Sequence, residues 1–212
     1  MYIPKHFAEP NPDVLHELIQ RQPLATIITI GAEGINANHI PLYLDPQAGE
    51  FGTLYGHVAR ANRMWQEQHS QQEVLAIFHG TDSYITPSWY ASKAQTGKVV
   101  PTWNYAVAHA YGPLQVIDDP QWLRQQLERL TNHNEASFEH QWQVADAPHD
   151  YTEALLKAIV GIAIPITRLL GKWKVSQNQP QANQQGVIAG LAASSEPSAA
   201  AMIELIKQRQ SS

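Results

Sequence analysis

The chain has 212 residues, 14 of them Lys or Arg and 19 Asp or Glu, for a formal charge of −5. A hydrophobic fraction of 43% with six Trp and eight Tyr excludes a disordered chain, and one domain with a sizeable core is expected at this length. The absence of Cys excludes disulfides, thiolate metal sites and Cys nucleophiles, and the lack of any run of five or more Lys/Arg argues against strong nonspecific DNA binding.

The opening residues, MYIPKHFAEPNP, contain no basic stretch followed by an apolar run, and no apolar segment approaches the ~20 residues that a bilayer span needs. A cytoplasmic location is therefore the expectation. Asn11-Pro12-Asp13 is a helix start, with a capping side chain, a Pro in the first turn and an acid beside the N-terminal dipole, and the helix should run to about Arg21. LATIITIG is rich in β-branched residues, ends at the Gly31-Ala32-Glu33-Gly34 turn and pairs as a hairpin with INANHIPLYLD. A second turn, PQAGEFG, leads into TLYGHV, and EVLAIFHG supplies a fourth strand.

Pro87 prevents SYITPSWY from being a central strand throughout, and the polar ASKAQTGK after it reads as a mobile loop. VVPTWNYAVAHAYGPLQVI is a further extended run. DDPQWLRQQLERL has Trp122, Leu123, Leu127 and Leu130 at helical spacing behind a Pro start, and YTEALLKAI is a second helix. GIAIPITRLLGKWKVSQN returns to extended structure, residues 177–200 are Gln/Asn/Ala/Ser-rich but too short and mixed for a linker, and EPSAAAMIELIKQRQSS forms a last helix with a frayed end. Closely spaced strands joined by tight turns, without regular βα alternation, predict a mainly β (α+β) chain built on an antiparallel β-barrel with peripheral helices. The helical insertion falls at about 120–160.

Phosphate-loop and dinucleotide fingerprints are absent, as are H-E-x-x-H and G-x-S-x-G. The ten His residues include no i,i+4 pair or associated acid cluster, so no metal site is assigned; a haem ligand among them is the alternative. YGHVARANRMW passes from strand to helix at Arg60 and Asn62. There a guanidinium can meet a phosphate with two parallel bonds beside the free N–H groups of a helix start. The same residues equally suit an Arg60 that pairs with a surface acid and an Asn62 that only caps the helix. In VVPTWNYAVAH, Thr102, Trp103, Asn104 and Tyr105 combine aromatic faces with hydroxyl and amide groups, as a flat heterocycle with polar edges requires, although Trp and Tyr also fill barrels. SYITPSWY offers a similar set, and GKWKVSQN adds Lys172, Lys174, Ser176, Gln177 and Asn178.

MYIPKHF, NHIPLYLD, GHVARAN, YITPSWY, VPTWNYAVAH and KVSQN, in this order across about 180 residues, resemble the PaiB-type family of FMN-binding transcriptional regulators. The resemblance implies an antiparallel split β-barrel of the pyridoxamine-phosphate oxidase-like kind, forming a homodimer with FMN near the subunit interface. It implies that Arg60 and Asn62 hold the FMN phosphate and that groups around His39, His57 and Thr102 meet the polar flavin edge. Trp103 or Trp89 covers apolar surface, and Val58, Asn104, Tyr105, Lys172 and Gln177 complete the cofactor set. The sequence departs from the family pattern at Arg63, where Pro usually follows the Asn, and at Gln179, where a basic residue usually follows SQN. Three functions follow from this reading: a flavin-dependent regulator, an FMN-dependent oxidoreductase, or a haem-binding split barrel. Direct DNA binding comes with the resemblance and is not supported by the charge.

Overall fold

The computed structural model describes residues 1–67 and 72–210. In chain order it contains β1 (Ala8–Glu9), α1 (Pro12–Arg21), β2 (Leu24–Gly31), β3 (Gly34–Pro41), β4 (Tyr43–Asp45), β5 (Thr53–Ala59), α2 (Met64–Glu67) and β6 (Glu73–Ile85). Then come α3 (Ser92–Thr96), β7 (Thr102–Pro113), β8 (Gln115–Ile117), α4 (Pro120–Glu135), α5 (His149–Leu156), β9 (Ile159–Pro165), β10 (Arg168–Lys174), α6 (Gln181–Ala192) and α7 (Ala199–Gln210). Ser211 and Ser212, the expected frayed end, lie outside the described residues.

INANHIPLYLD, expected as one strand, breaks at Leu42 into β3 and β4, which belong to different sheets, and two helices are not expected from the sequence. The segment read as a loop, ASKAQTGK, contains the short helix α3, closed where Gly97 takes φ +66° and its N–H reaches Lys93 O at 3.0 Å. Five residues are too few to show a periodicity, so only the left-handed glycine could have signalled it. Residues 177–200 contain α6, whose Gln, Asn and Gly composition hides the helix because its formation depends on packing, described below.

The chain forms two compact units, one from described residues of Met1–Asn11, His79–Ala108 and Leu170–Ser212, the other from those of Pro12–Phe78 and His109–Leu169. Strands β6 and β7 contribute to both. In the first unit the strand order is β1-β10-β7-β6, with β1 antiparallel to β10 through Ala8 opposite Lys172. Its core joins Ile85 and Tyr90 to Val187 and Leu191 of α6 and Met202 and Ile206 of α7. Each fully buried side chain of this size contributes roughly 1.5–3 kcal/mol. Trp89 lies so close to α6 that a Cβ on Gly190 would stand 2.2–2.4 Å from three indole atoms.

In the second unit, β2 pairs with β3 in the predicted hairpin, Gly31 opposite Gly34, which has φ +104°, and the other edge of β2 pairs with β6. A four-stranded antiparallel sheet runs β4-β5-β9-β8. The α4 helix begins where the Asp119 carboxylate accepts from Gln121 N at 2.8 Å and Trp122 N at 3.3 Å, and it buries Leu123, Gln126 and Leu130. Its Trp122 packs on Gly161, where a Cβ would meet the indole at 2.4 Å. This close approach brings the buried face of α4 onto β9 and β5, and with it Gln126 within reach of His57.

Candidate functional site

In the second unit, β3 and β5 place the words NHIP and GHVARAN beside one another. They line a cleft of about 290 Å³ that includes Asn38, His39, Ile40, His57, Val58 and Asn62, with Ile159 from β9. Four of the twelve expected cofactor residues meet here. Asn62 is fixed at both ends of its amide: Nδ2 donates to Asn38 Oδ1 at 2.8 Å, and Oδ1 accepts from Met64 N at 3.0 Å, capping α2. His39 faces Thr26 across the hairpin, with Nδ1 3.1 Å from its hydroxyl.

His57 Nδ1 lies 3.1 Å from Gln126 Oε1, so the neutral imidazole carries its proton on Nδ1 and leaves Nε2 as an acceptor. Burial pushes the His57 pKa below the ordinary 6.5, and the Gln126 bond offsets part of that shift. Gln126 is only 3% exposed, and its Nε2 is buried with no hydrogen-bond partner.

Arg60 falls in sequence between Ala59 and Asn62 of the cleft lining, and its fork is committed. Nη1 donates to Asp118 Oδ2 at 2.9 Å and Nη2 to Asp118 Oδ1 at 2.6 Å, while Nε and Nη2 donate to the carbonyls of Lys157 and Ile159 at 3.0 Å each. Its backbone N–H meets Ala158 O at 2.8 Å. The mutual bond raises the Arg60 pKa and lowers that of Asp118, so both remain charged and cancel locally. Of the two uses open to the sequence, pairing with a surface acid is the one the side chain makes, and a phosphate at the fork would have to exchange with the Asp118 carboxylate. Arg63, the departure beside it, is an exposed side chain 4.0 Å from Glu33.

The remaining expected residues belong to the first unit. Thr102 and Asn104 line a cavity of about 370 Å³ with Ser92, Lys98, Lys174 and Ser176. Asn104 donates to Ser176 Oγ at 2.9 Å. Gln177 braces its own turn, accepting from Val175 N at 2.7 Å and donating to Trp173 O at 2.5 Å. Lys172 lies 5.3 Å from the centre of the Tyr105 ring. Trp103 is 54% exposed and meets Tyr84 edge to face at 5.8 Å, whereas Trp89 is held against α6. Gln126, Asn38, Lys174 and Asn183 were not among the expected cofactor residues. The first two became visible only once β3, β5 and α4 were packed, although Lys174 sits within KVSQN, one of the words quoted above.

The strand arrangement is that of an antiparallel split β-barrel. Among solved structures, the flavocytochrome Anf3 from Azotobacter vinelandii superposes with a TM-score of 0.61 at 12% identity over 81% of this chain and 72% of that one. The FAD and heme binding protein from Mycobacterium smegmatis does so with 0.59 at 16% identity over 86% and 80%. The family described as "Putative FMN-binding domain" matches residues 1–168. An uncharacterized protein of Emericella nidulans is 38% identical over 90% of both chains, and the protease synthase and sporulation protein PAI 2 of Bacillus subtilis is 28% identical over 99% of this chain and 98% of its own. The chain belongs to this FMN-binding, PaiB-type family, and FMN is its cofactor.

Proposed function

We propose that the protein holds the flavin of FMN in the β3/β5 cleft of the second unit and works as a flavin-dependent regulator of the PaiB type, as a homodimer in the cytoplasm. The cleft carries this reading. Ile40, Val58 and Ile159 offer an apolar surface, and His39, His57, Asn38 and Asn62 offer hydrogen bonds around it, the combination that a planar heterocycle with polar edges needs. The side chains are held before any ligand arrives, His57 by Gln126 and Asn62 by Asn38 and α2. Regulation is assigned on similarity to the B. subtilis protein, whose name associates it with protease synthesis and sporulation. A net charge of −5 supports regulation through flavin and protein contacts rather than tight DNA binding. Dimerisation is supported by apolar side chains that the β2/β3 hairpin leaves exposed, Leu24, Ile30 and Ile35, the last 79% exposed.

Titration with FMN, followed by flavin absorbance and fluorescence, tests the reading. Saturable one-to-one binding, weakened severalfold or more by His57→Ala and by Asn62→Ala in folded protein, is expected. Binding that neither substitution changes would place the flavin elsewhere. Light scattering should give a dimer mass, and a monomer mass at full FMN occupancy would remove the homodimer.

An FMN-dependent oxidoreductase is the second reading, favoured by two imidazoles on the cleft wall that can hold or pass a proton beside a ligand. FMN, when bound, supplies the electron chemistry. Oxidation of NAD(P)H by the FMN-loaded protein separates this reading from the first, and a haem spectrum after expression with haem supplied would favour the haem-binding alternative.

A further inference from the structure

The cavity of the first unit has a chemistry of its own. Its lining contains two lysines, Lys98 and Lys174, and no Asp or Glu. Lys174 Nζ donates to Thr102 Oγ1 and to Trp103 O, both neutral acceptors, and among the described residues no carboxylate lies within ion-pair distance of it. A half-buried ammonium without an anion is unfavourable, and burial together with the neighbouring Lys172 holds its pKa below the ordinary lysine value. In a chain of net charge −5, that placement calls for a negative ligand.

The neutral groups around it are fixed in advance. Asn104 and Ser176, 1% and 3% exposed, are bonded to each other at 2.9 Å. Asn183 accepts from Ser92 N at 3.0 Å and donates to Ser92 Oγ at 2.9 Å. Ser176 has φ +66°, the one non-glycine residue with positive φ among those described, an unfavourable conformation that Gln177 holds in place. Strain of this kind, over-determined by neighbours and facing a cavity, is what a binding turn shows.

We propose that this cavity is an anion site for a phosphate monoester, with Lys174 as the inner positive charge, Lys98 at the rim, and Thr102, Ser92 and Asn178 as hydrogen-bonding side chains. Two ammonium groups match a dianion, and hydroxyl and amide groups can serve its several oxygens. The inference rests on the proposed flavin cleft only in that the phosphate is taken to be that of a ligand separate from FMN, because the flavin is assigned to the cleft of the other unit.

The test uses the full chain and inorganic phosphate at constant ionic strength, by calorimetric titration and thermal shift. Wild-type protein should show saturable binding. Lys174→Met should weaken it tenfold or more and Lys98→Ala severalfold, while Lys157→Ala in the other unit changes nothing. Lys174→Met removes an unpaired charge together with its bonds to Thr102 and Trp103, so its fold is checked by circular dichroism, and Lys98→Ala, which leaves those bonds in place, keeps the test decisive if Lys174→Met does not fold. Simultaneous binding of FMN and phosphate is expected, and competition of phosphate with FMN would overturn a separate site. Absence of saturable binding, or equal binding by wild type and both cavity variants, overturns the proposal.

Discussion

Gln126→Met tests the link between α4 and the β3/β5 cleft proposed to hold the flavin. The substitution nearly conserves volume at a position only 3% exposed. It removes one hydrogen bond to His57, worth about 0.5–1.5 kcal/mol net, and it also removes a buried amide nitrogen without a partner, whose desolvation costs about 1–3 kcal/mol. The substitution also leaves the part-buried His57 Nδ1–H without its acceptor, which offsets the gain from the amide, so the apo-protein should stay within about 1 kcal/mol of wild type in urea denaturation. FMN affinity should nevertheless fall, because the imidazole loses the contact that orients it. The His57 pKa, followed by NMR, should drop further, since the Gln126 bond is what raises it against burial. A variant more than about 1 kcal/mol less stable, with unaltered FMN affinity and His57 titration, would refute this account of Gln126.

Three further outcomes follow from the geometry. Because burial depresses the His57 pKa, the folded protein binds fewer protons than the unfolded chain below pH 6.5; its contribution is complete above 6.5 and is lost as pH falls toward the depressed value. Denaturation at a series of pH values should show that decline in wild type and a flatter profile in His57→Asn. Arg60→Ala should weaken FMN and riboflavin by the same factor and lower Tm, because the fork is spent on Asp118 and two carbonyls; a loss confined to FMN, of about ten- to a hundredfold, would instead show that Asp118 yields to the phosphate. Gly190→Ala gains about 1 kcal/mol of helix propensity but forces a methyl against the Trp89 indole, which costs about 1–3 kcal/mol, so a net loss of stability with altered Trp fluorescence is expected.

Local rules made much of the scaffold legible. The β-branched run before Gly31 announced β2, Asn11-Pro12-Asp13 announced α1, and Asp119-Pro120 with Leu123 and Leu130 announced α4. The helix α6 was not legible, because its glycines at 186 and 190 count against a helix until Trp89 is seen lying against them. The site words NHIP and GHVARAN stood out, but their adjacency depends on β3 meeting β5, a contact that no local pattern encodes. Arg60 illustrates the limit most directly. Its type and place suggested an anion partner, yet whether that partner is a phosphate or Asp118, 58 residues further on, is decided by the chain path. GKWKVSQN offered two lysines alike, and only the packed structure distinguishes Lys172, beside Tyr105, from Lys174, which lines the cavity.

The pairing of β1 with β10 has a kinetic consequence. Ala8 and Glu9 are synthesised more than 160 residues before their strand partners, and the buried Glu9 carboxylate receives Arg209 only when α7 is made. Such distant closure is slow compared with hairpin formation, so the β2/β3 hairpin can form while the N-terminal strand still waits. A chain cut after residue 168, where the family match stops, would retain the hairpin and the flavin cleft residues but leave Glu9 without its cation and the anion cavity without Lys174. Nascent chains arrested at that length should therefore expose the N-terminal segment to protease until the remaining residues emerge.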